Sequence, residues 1–183
     1  AEFPPNQQAR AILSVIGEGF RRRVDIGNEV GVPAHNLAAP LETLTRKKRV
    51  VEGRLPLSTA KSRDTRYEII DPYLRFHMRF LDRHLGEIER GRGRVAVSAI
   101  IADWPTYRGK AIEHLVREAI DQLLPDERFG AASVAGSFWT ADHQIEVDLI
   151  GADRREPPAK HVDFIGTVKW RENRPLNFMD LNS

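Results

Sequence analysis

The sequence predicts an α+β chain in two parts, and three observations predict it. Residues 6–48 carry three short amphipathic helical patterns. Residues 49–71 carry two strand-like runs around a polar stretch. Residues 107–172 carry a helix followed by three apolar strands. Short helices followed by a two-stranded ribbon form the pattern of a winged helix-turn-helix, which sets its third helix in the DNA major groove and its wing beside the backbone. A helix with several apolar strands gives an α/β unit whose sheet is covered on one or both faces. The expected boundaries are 4–71 for the winged helix-turn-helix, 72–93 for a linker helix and 94–183 for the second unit.

The first helix is expected over 6–17, with Ala9, Ile12, Leu13 and Ile16 on one face, Asn6 as N-cap and Gly17 or Gly19 as stop. A second short helix follows over 23–30. After the turn "GVP" a third begins near Pro33, a residue suited to the first helical position. Leu37, Leu41 and Leu44 continue its stripe, and Pro40 predicts a kink because it lacks a donor and clashes one turn back. "RVVEGRLPL" (49–57) and "RYEIID" (66–71) read as strands joined by "STAKSRDT". A long helix then starts near Pro72, with Leu74, Met78, Phe80, Leu81 and Leu85 on its apolar side and Phe76 placed to stack on Phe80. "GRG" at 91–93 is the expected joint. A helix from about Tyr107 to Leu124 ends at Pro125, and "AASVAGSFW", "QIEVDLIGA" and "DFIGTVKWRE" follow as strands.

Composition narrows the function. The apolar fraction is 41% and the charged fraction 30%, a globular balance. There is no cysteine, hence no disulfide framework and no thiolate metal site. No apolar run reaches membrane-spanning length and no signal peptide is visible, so a cytoplasmic protein with no membrane partner is expected. No GxxxxGK[ST] motif occurs, which excludes a P-loop ATPase site in this chain. The opening "AEF" reads as a leader outside the fold. The net charge of +2 is small, but basic residues cluster at 21–23, 46–49 and 90–94. Such clusters are either solvated faces or phosphate contacts.

Three charged residues break the apolar patterns. On the helix that follows Tyr107, Ile112, Leu115, Val116, Ala119, Ile120 and Leu123 form the core-facing sector, while His114, Arg117, Glu118 and Asp121 fall on the far side. Glu113 lies at the edge of the apolar sector, where a carboxylate is costly unless paired, metal-bound or able to reach water. In "QIEVDLIG", Glu146, Asp148 and Ile150 share a strand face; in "FIGTVKW", Ile165, Thr167 and Lys169 share one. Pairing of the two strands puts Asp148 and Lys169 on one face of a sheet. That arrangement is either a surface salt bridge or part of a site. Two carboxylates and a lysine so arranged can cut phosphodiesters: the carboxylates hold Mg²⁺, which activates a water, and the lysine stabilises developing negative charge.

"YEIIDPYLRFHMRF" resembles the segment after the winged helix in archaeal-type P-loop ATPases, which also occur in bacteria. "RGKAIEHLVREAI", "GSFW", "QIEVDLIGAD" and "FIGTVKWRE" resemble the C-terminal domain of unknown function of those proteins, which is similar to restriction-endonuclease-like, PD-(D/E)xK, nucleases. The resemblance implies a restriction-endonuclease-like second domain, with Glu113 and Asp148 as the metal-binding carboxylates and Lys169 as the catalytic lysine. It implies Mg²⁺ as cofactor and an ATPase domain upstream as partner. Thr167 stands where the second acid of the signature belongs. A hydroxyl is a neutral, weak ligand, so metal binding is expected to be weakened. Glu146 lies two residues from Asp148, a displacement of about 7 Å along the strand. His77 stands where the linker pattern has an aromatic.

Three functions follow as expectations. The first is DNA binding by a nuclease-like protein that binds rather than efficiently cuts. Arg46, Lys47, Lys48 and the wing residues Lys61 and Arg63 would meet the backbone, and His35 and Asn36 the bases. The second is an active Mg²⁺-dependent endonuclease using Glu113, Asp148 and Lys169. The third is a protein-interaction or regulatory module of the ATPase.

Overall fold

The computed structural model describes residues 5–142 and 144–171. The "AEF" leader and the far end of the third expected strand at Glu172 lie outside them. The chain is α+β, as its patterns predict, and its contacts divide it into two units. The first comprises Ala1–Arg54 and Thr65–Asp103, the second Leu55–Asp64 and Trp104–Ser183. The segment between the two ribbon strands, Leu55–Asp64, therefore groups with the second unit.

In the first unit, helix Pro5–Glu18 stops at Gly19, whose φ of 110° is open to glycine and strained for other residues. The second helix, Arg23–Val30, ends at Gly31 in the left-handed conformation, its N–H directed to the carbonyls of Asn28 and Gly27. The third helical run, 34–47, changes pitch on either side of Pro40. A tight 3-10 turn, Ala34–Leu37, leads into the α-helical Ala38–Glu42 and a wide π turn, Thr43–Lys47. The kink expected at Pro40 is thus spread over the run, and the Thr45 hydroxyl donates to the Leu41 carbonyl over 2.8 Å near the widened end.

Strands β1 (Val51–Arg54) and β2 (Arg66–Ile69) pair antiparallel, with Val51 opposite Ile69. Both are 1% exposed, so that pair is the ribbon's anchor in the core. Tyr67 N–H donates to the Arg21 carbonyl, and Arg22 bridges to Arg66, adding a short third edge. The core joins Ile12, Ile16, Ile26, Leu37, Leu41 and Leu44 to Val51, Ile69 and Met78. Ile12, Ile16, Leu37, Leu41, Leu44 and Met78 among them are the residues that the helical periodicities pointed inward.

The linker is helical over 72–89 but irregular: Pro72–Phe76 is α, His77–Leu81 π, Asp82–His84 3-10 and Leu85–Glu89 α. Asp71 caps its start by accepting from Leu74 N–H. The Phe76 and Phe80 rings lie 5.1 Å apart, as the four-residue spacing predicts, and the His77 ring lies 6.2 Å from Tyr73. A Cβ at Gly17 would meet Met78 Cβ at 2.6 Å, so this glycine permits the first helix to cross the linker closely. Arg79 fixes the crossing, donating to the Glu18 carbonyl and, over 2.7 Å, to Asp103.

A long helix, Arg94–Leu123, starts well before the expected Tyr107 and passes through Pro105. The division between the units falls within it, at Asp103 and Trp104. The proline suggests a helix start, but the surrounding turns tolerate the one hydrogen bond it removes. Among the described residues no helix is long and apolar enough to cross a membrane.

The second unit's sheet has the order β3 (Val134–Trp139), β4 (Glu146–Ala152), β5 (Val162–Gly166), all antiparallel. Leu57, from the segment between the ribbon strands, packs with Ile150, Ala152 and Ala159 and donates its N–H to the Ser137 carbonyl. Gly151 lies opposite Phe164, whose ring occupies the space a Cβ at Gly151 would need. Phe129 supports that ring at 5.3 Å. On the far side of β3, Asp121 accepts from Ala135 N–H over 2.7 Å. Arg155 pairs with Asp121 at 2.6 Å and donates to the Ala135 carbonyl at 3.3 Å.

The helix face turned toward the sheet differs from the expected one. Arg117, assigned to the solvated side, is 7% exposed, while Leu115 and Leu123, assigned to the core, are each 55% exposed. The specific bonds from Arg117 and Asp121 to sheet backbone override the apolar periodicity.

Candidate nucleic-acid interface and nuclease-like site

The three basic clusters differ once their partners are known. In the first, Arg21 pairs with Glu68 at 3.0 Å and Arg22 with Asp25. In the third, Arg90 and Arg92 both pair with Glu87, at 3.7 and 2.7 Å. In the second, only Arg46 has a partner among the described residues, Glu42 at 3.6 Å on the same exposed helix face. Lys47, Lys48 and Arg49 are exposed and carry no ion pair among the described residues. They stand where the third helix ends and β1 begins, and Arg49 is held at a φ of 56°. His35 and Asn36 are exposed in the tight first turn of the same helix. Lys61 and Arg63 are also exposed, but they belong to the segment grouped with the second unit.

The residues expected to form a nuclease-like site, Glu113, Asp148 and Lys169, sit on the long helix, on β4 and just beyond β5. Gly136 faces Ile150, and Phe138 faces Val147. Between these pairs Ser137 alone stands opposite two β4 residues, Asp148 and Leu149. This is a β-bulge, a device that re-aims side chains and bends a strand. It breaks the alternation on which the expected shared face of Asp148 and Lys169 rests, and leaves Leu149 and Ile150 both buried.

β5 ends at Gly166, so Thr167, Val168 and Lys169 follow it in non-strand backbone. There the chain turns onto Asp148. The Thr167 hydroxyl donates to Asp148 Oδ2 over 2.8 Å, and the Val168 N–H donates to the same oxygen over 2.9 Å. From the helix, Arg117 Nη1 donates to the Asp148 backbone carbonyl over 2.9 Å. Glu113 is half-buried one helical turn before Arg117, so the two share a helix face. Lys169 is exposed, and no ion pair joins it to Asp148 among the described residues. Trp170 beside it lies under the Arg108 guanidinium, 5.2 Å from the ring centroid.

Asp148 is thus gathered by Thr167, Val168 and Arg117. Of the Glu113, Asp148 and Lys169 set, Asp148 lies at the centre of this network, Glu113 stands on the helix face that carries Arg117, and Lys169 is exposed. Arg117 and the Val168 amide were not among the expected site residues. For Arg117 the signal was present in its four-residue spacing from Glu113; for a backbone amide the sequence holds none. Among the described residues no group of three or more His, Asp or Glu side chains is arranged to hold a metal ion.

Comparison with known proteins places these features in context. A family profile described as archaeal and bacterial proteins of unknown function, DUF234, matches residues 77–180. An uncharacterized protein of Methanocaldococcus jannaschii is 26% identical over 173 residues, which cover 93% of this chain and 37% of that protein. The chain therefore spans well under half the length of this relative. No solved structure matches the chain.

Proposed function

Taking as premise that the chain belongs to DUF234, a family of archaeal and bacterial proteins of unknown function, we propose that it is a DNA-binding protein whose nuclease-like unit binds rather than efficiently cuts. The observation that carries the binding half is the Lys47, Lys48 and Arg49 run. These cations are exposed, next to one another, and placed at the end of the third helix of a helix-and-ribbon unit. Neutralising a row of phosphates with such a run releases counterions. His35 and Asn36 are the base-reading candidates, since an asparagine amide can pair bidentately with adenine.

The cutting half turns on Asp148. A metal-binding carboxylate needs its oxygens for the cation, and here one oxygen already accepts two donors. Thr167 donates a hydrogen bond to that carboxylate instead of supplying a second negative charge. The residues as they stand do not fit a Mg²⁺ site of the two-acid type, which supports the binding reading over the endonuclease reading. A role as an interaction module beside an upstream P-loop ATPase domain is the second reading, supported by the exposure of Leu115 and Leu123.

The test is fluorescence anisotropy with labelled duplex DNA across a salt series, beside a cleavage assay in Mg²⁺ and Mn²⁺. Binding that weakens steeply with salt and a cleavage background equal in the unaltered chain and Asp148→Ala are the expected results. Affinity that does not change with salt refutes the DNA-binding reading. Cleavage lost in Asp148→Ala would favour the endonuclease. Thr167→Glu asks whether the remaining architecture supports cutting once the acid is restored.

A further inference from the structure

The sequence presents Lys61 and Arg63 as wing residues of the first unit. The structure groups them with the second unit, on a loop whose Ser58 is bonded to a residue about a hundred positions further along the chain. The Ala159 N–H donates to the Ser58 carbonyl over 2.8 Å, and Leu57 and Ala159 are buried in one apolar cluster. The loop at 58–63 and the loop at 153–161 are therefore tied side by side within the second unit.

The second loop is itself held in shape. Asp153 accepts from the Lys160 N–H over 2.7 Å and from the His161 N–H over 3.4 Å. Burial pushes the Asp153 carboxyl up, but the Arg154 hydrogen bond, the two amides and the Arg154 charge outweigh it and bring it down to about 2. The anchor is thus ionised through the whole neutral range. Several basic side chains of the loop are already engaged: Arg154 with Asp153, Arg155 with Asp121, and His161 beside Asp163. Lys61, Arg63 and Lys160 are exposed and carry no ion pair among the described residues. Lys61 is three residues from Ser58, at most about 11 Å along the chain, and Lys160 adjoins Ala159. Three exposed cations thus belong to two loops that are tied to one another at Ser58 and Ala159.

We propose that these loops form a second contact surface for a nucleic-acid phosphate backbone, on the second unit, with Lys61, Arg63 and Lys160 as its contacting cations. The proposal rests on the reading that the chain binds nucleic acid, but it concerns different residues from the Arg46–Arg49 run and is separable from it. Phosphate contacts hold and position a duplex without reading sequence. This surface therefore predicts affinity that is insensitive to the sequence of the probe.

The experiment uses the whole chain and a fluorescein-labelled DNA duplex of random sequence, titrated at a series of salt concentrations. Three proteins are compared: the unaltered chain, Lys61→Gln with Lys160→Gln, and Lys47→Gln with Lys48→Gln. All four positions are exposed, and circular dichroism checks folding. Loss of two phosphate contacts at Lys61 and Lys160 is expected to weaken binding about tenfold near 0.1 M salt and to flatten the log–log salt slope by about two. An affinity and slope equal to the unaltered chain's would overturn the second surface, even if the Lys47 and Lys48 variant binds weakly. The converse result, loss only at Lys61 and Lys160, would uphold it and overturn the role given to the third-helix run. An unaltered chain that does not bind the duplex overturns both.

Discussion

Thr167 donates its hydroxyl to the Asp148 carboxylate over 2.8 Å, and the backbone at Val168 adds a second donor to the same oxygen. The position at which the sequence resemblance leads one to expect a second acid is here held by a hydrogen-bond donor to Asp148. The pair joins the end of β5 to the bulge in β4. It also changes what substitutions at the site should do.

Thr167→Val keeps the shape of the side chain and removes the donor. It should lower stability by about 1 kcal/mol, the ordinary net contribution of one hydrogen bond. Urea unfolding read by tryptophan fluorescence measures this. A variant as stable as the unaltered chain would show that Val168 N–H alone suffices to hold Asp148.

Gly151→Ala should be costly for a different reason. The added methyl would overlap the Phe164 ring, which is backed by Phe129. Overpacking of this kind typically costs about 1–3 kcal/mol. The expected readout is a lower urea midpoint with an unchanged slope, and the companion Phe164→Ala should relieve the clash in the double variant.

At Arg49 conformation and charge can be separated. Its φ of 56° is the left-handed region, which disfavours side chains with a Cβ. Arg49→Gly should be more stable than Arg49→Ala by about 1 kcal/mol, while both lose the proposed DNA contact and should bind alike. Thermal unfolding and anisotropy on the two variants check the pair of statements.

Asp153 gives a pH signature. Its carboxyl is lowered from 3.8 to about 2, burial opposing and the Arg154 and backbone hydrogen bonds prevailing. A depressed acid contributes stability that is present above its unfolded value and lost as pH falls through its folded value. The stability difference between the unaltered chain and Asp153→Asn should therefore be constant above about pH 4 and shrink between about pH 4 and pH 2. Unfolding of both proteins across that range measures it, and a difference that grows on acidification would contradict the assignment.

Much of the first unit was legible because its core follows simple periods. Ile12 and Ile16, and Leu37, Leu41 and Leu44, sit where a helical repeat places them, and Val51 and Ile69 fix the ribbon. The second unit was less legible for reasons that can be named. The bulge at Asp148 and Leu149 breaks the two-residue alternation, and the break leaves no mark in composition. Arg117 reads as a solvent residue by type, yet its guanidinium meets the Asp148 carbonyl in the interior. The company kept by Leu57, Ser58 and Lys61 depends on a bond to Ala159, a contact too distant along the chain for any local pattern to reveal.

The ion pair of Asp121 and Arg155 carries one more consequence. Ala135 lies on an outer strand of a three-stranded sheet, where backbone groups stand ready to pair with an incoming chain. The carboxylate takes its N–H and the guanidinium feeds its carbonyl, so two side chains imitate the backbone of a neighbouring strand. At that position the sheet is closed against templated growth by a counterfeit strand. Removing either half would reopen a seed for self-association.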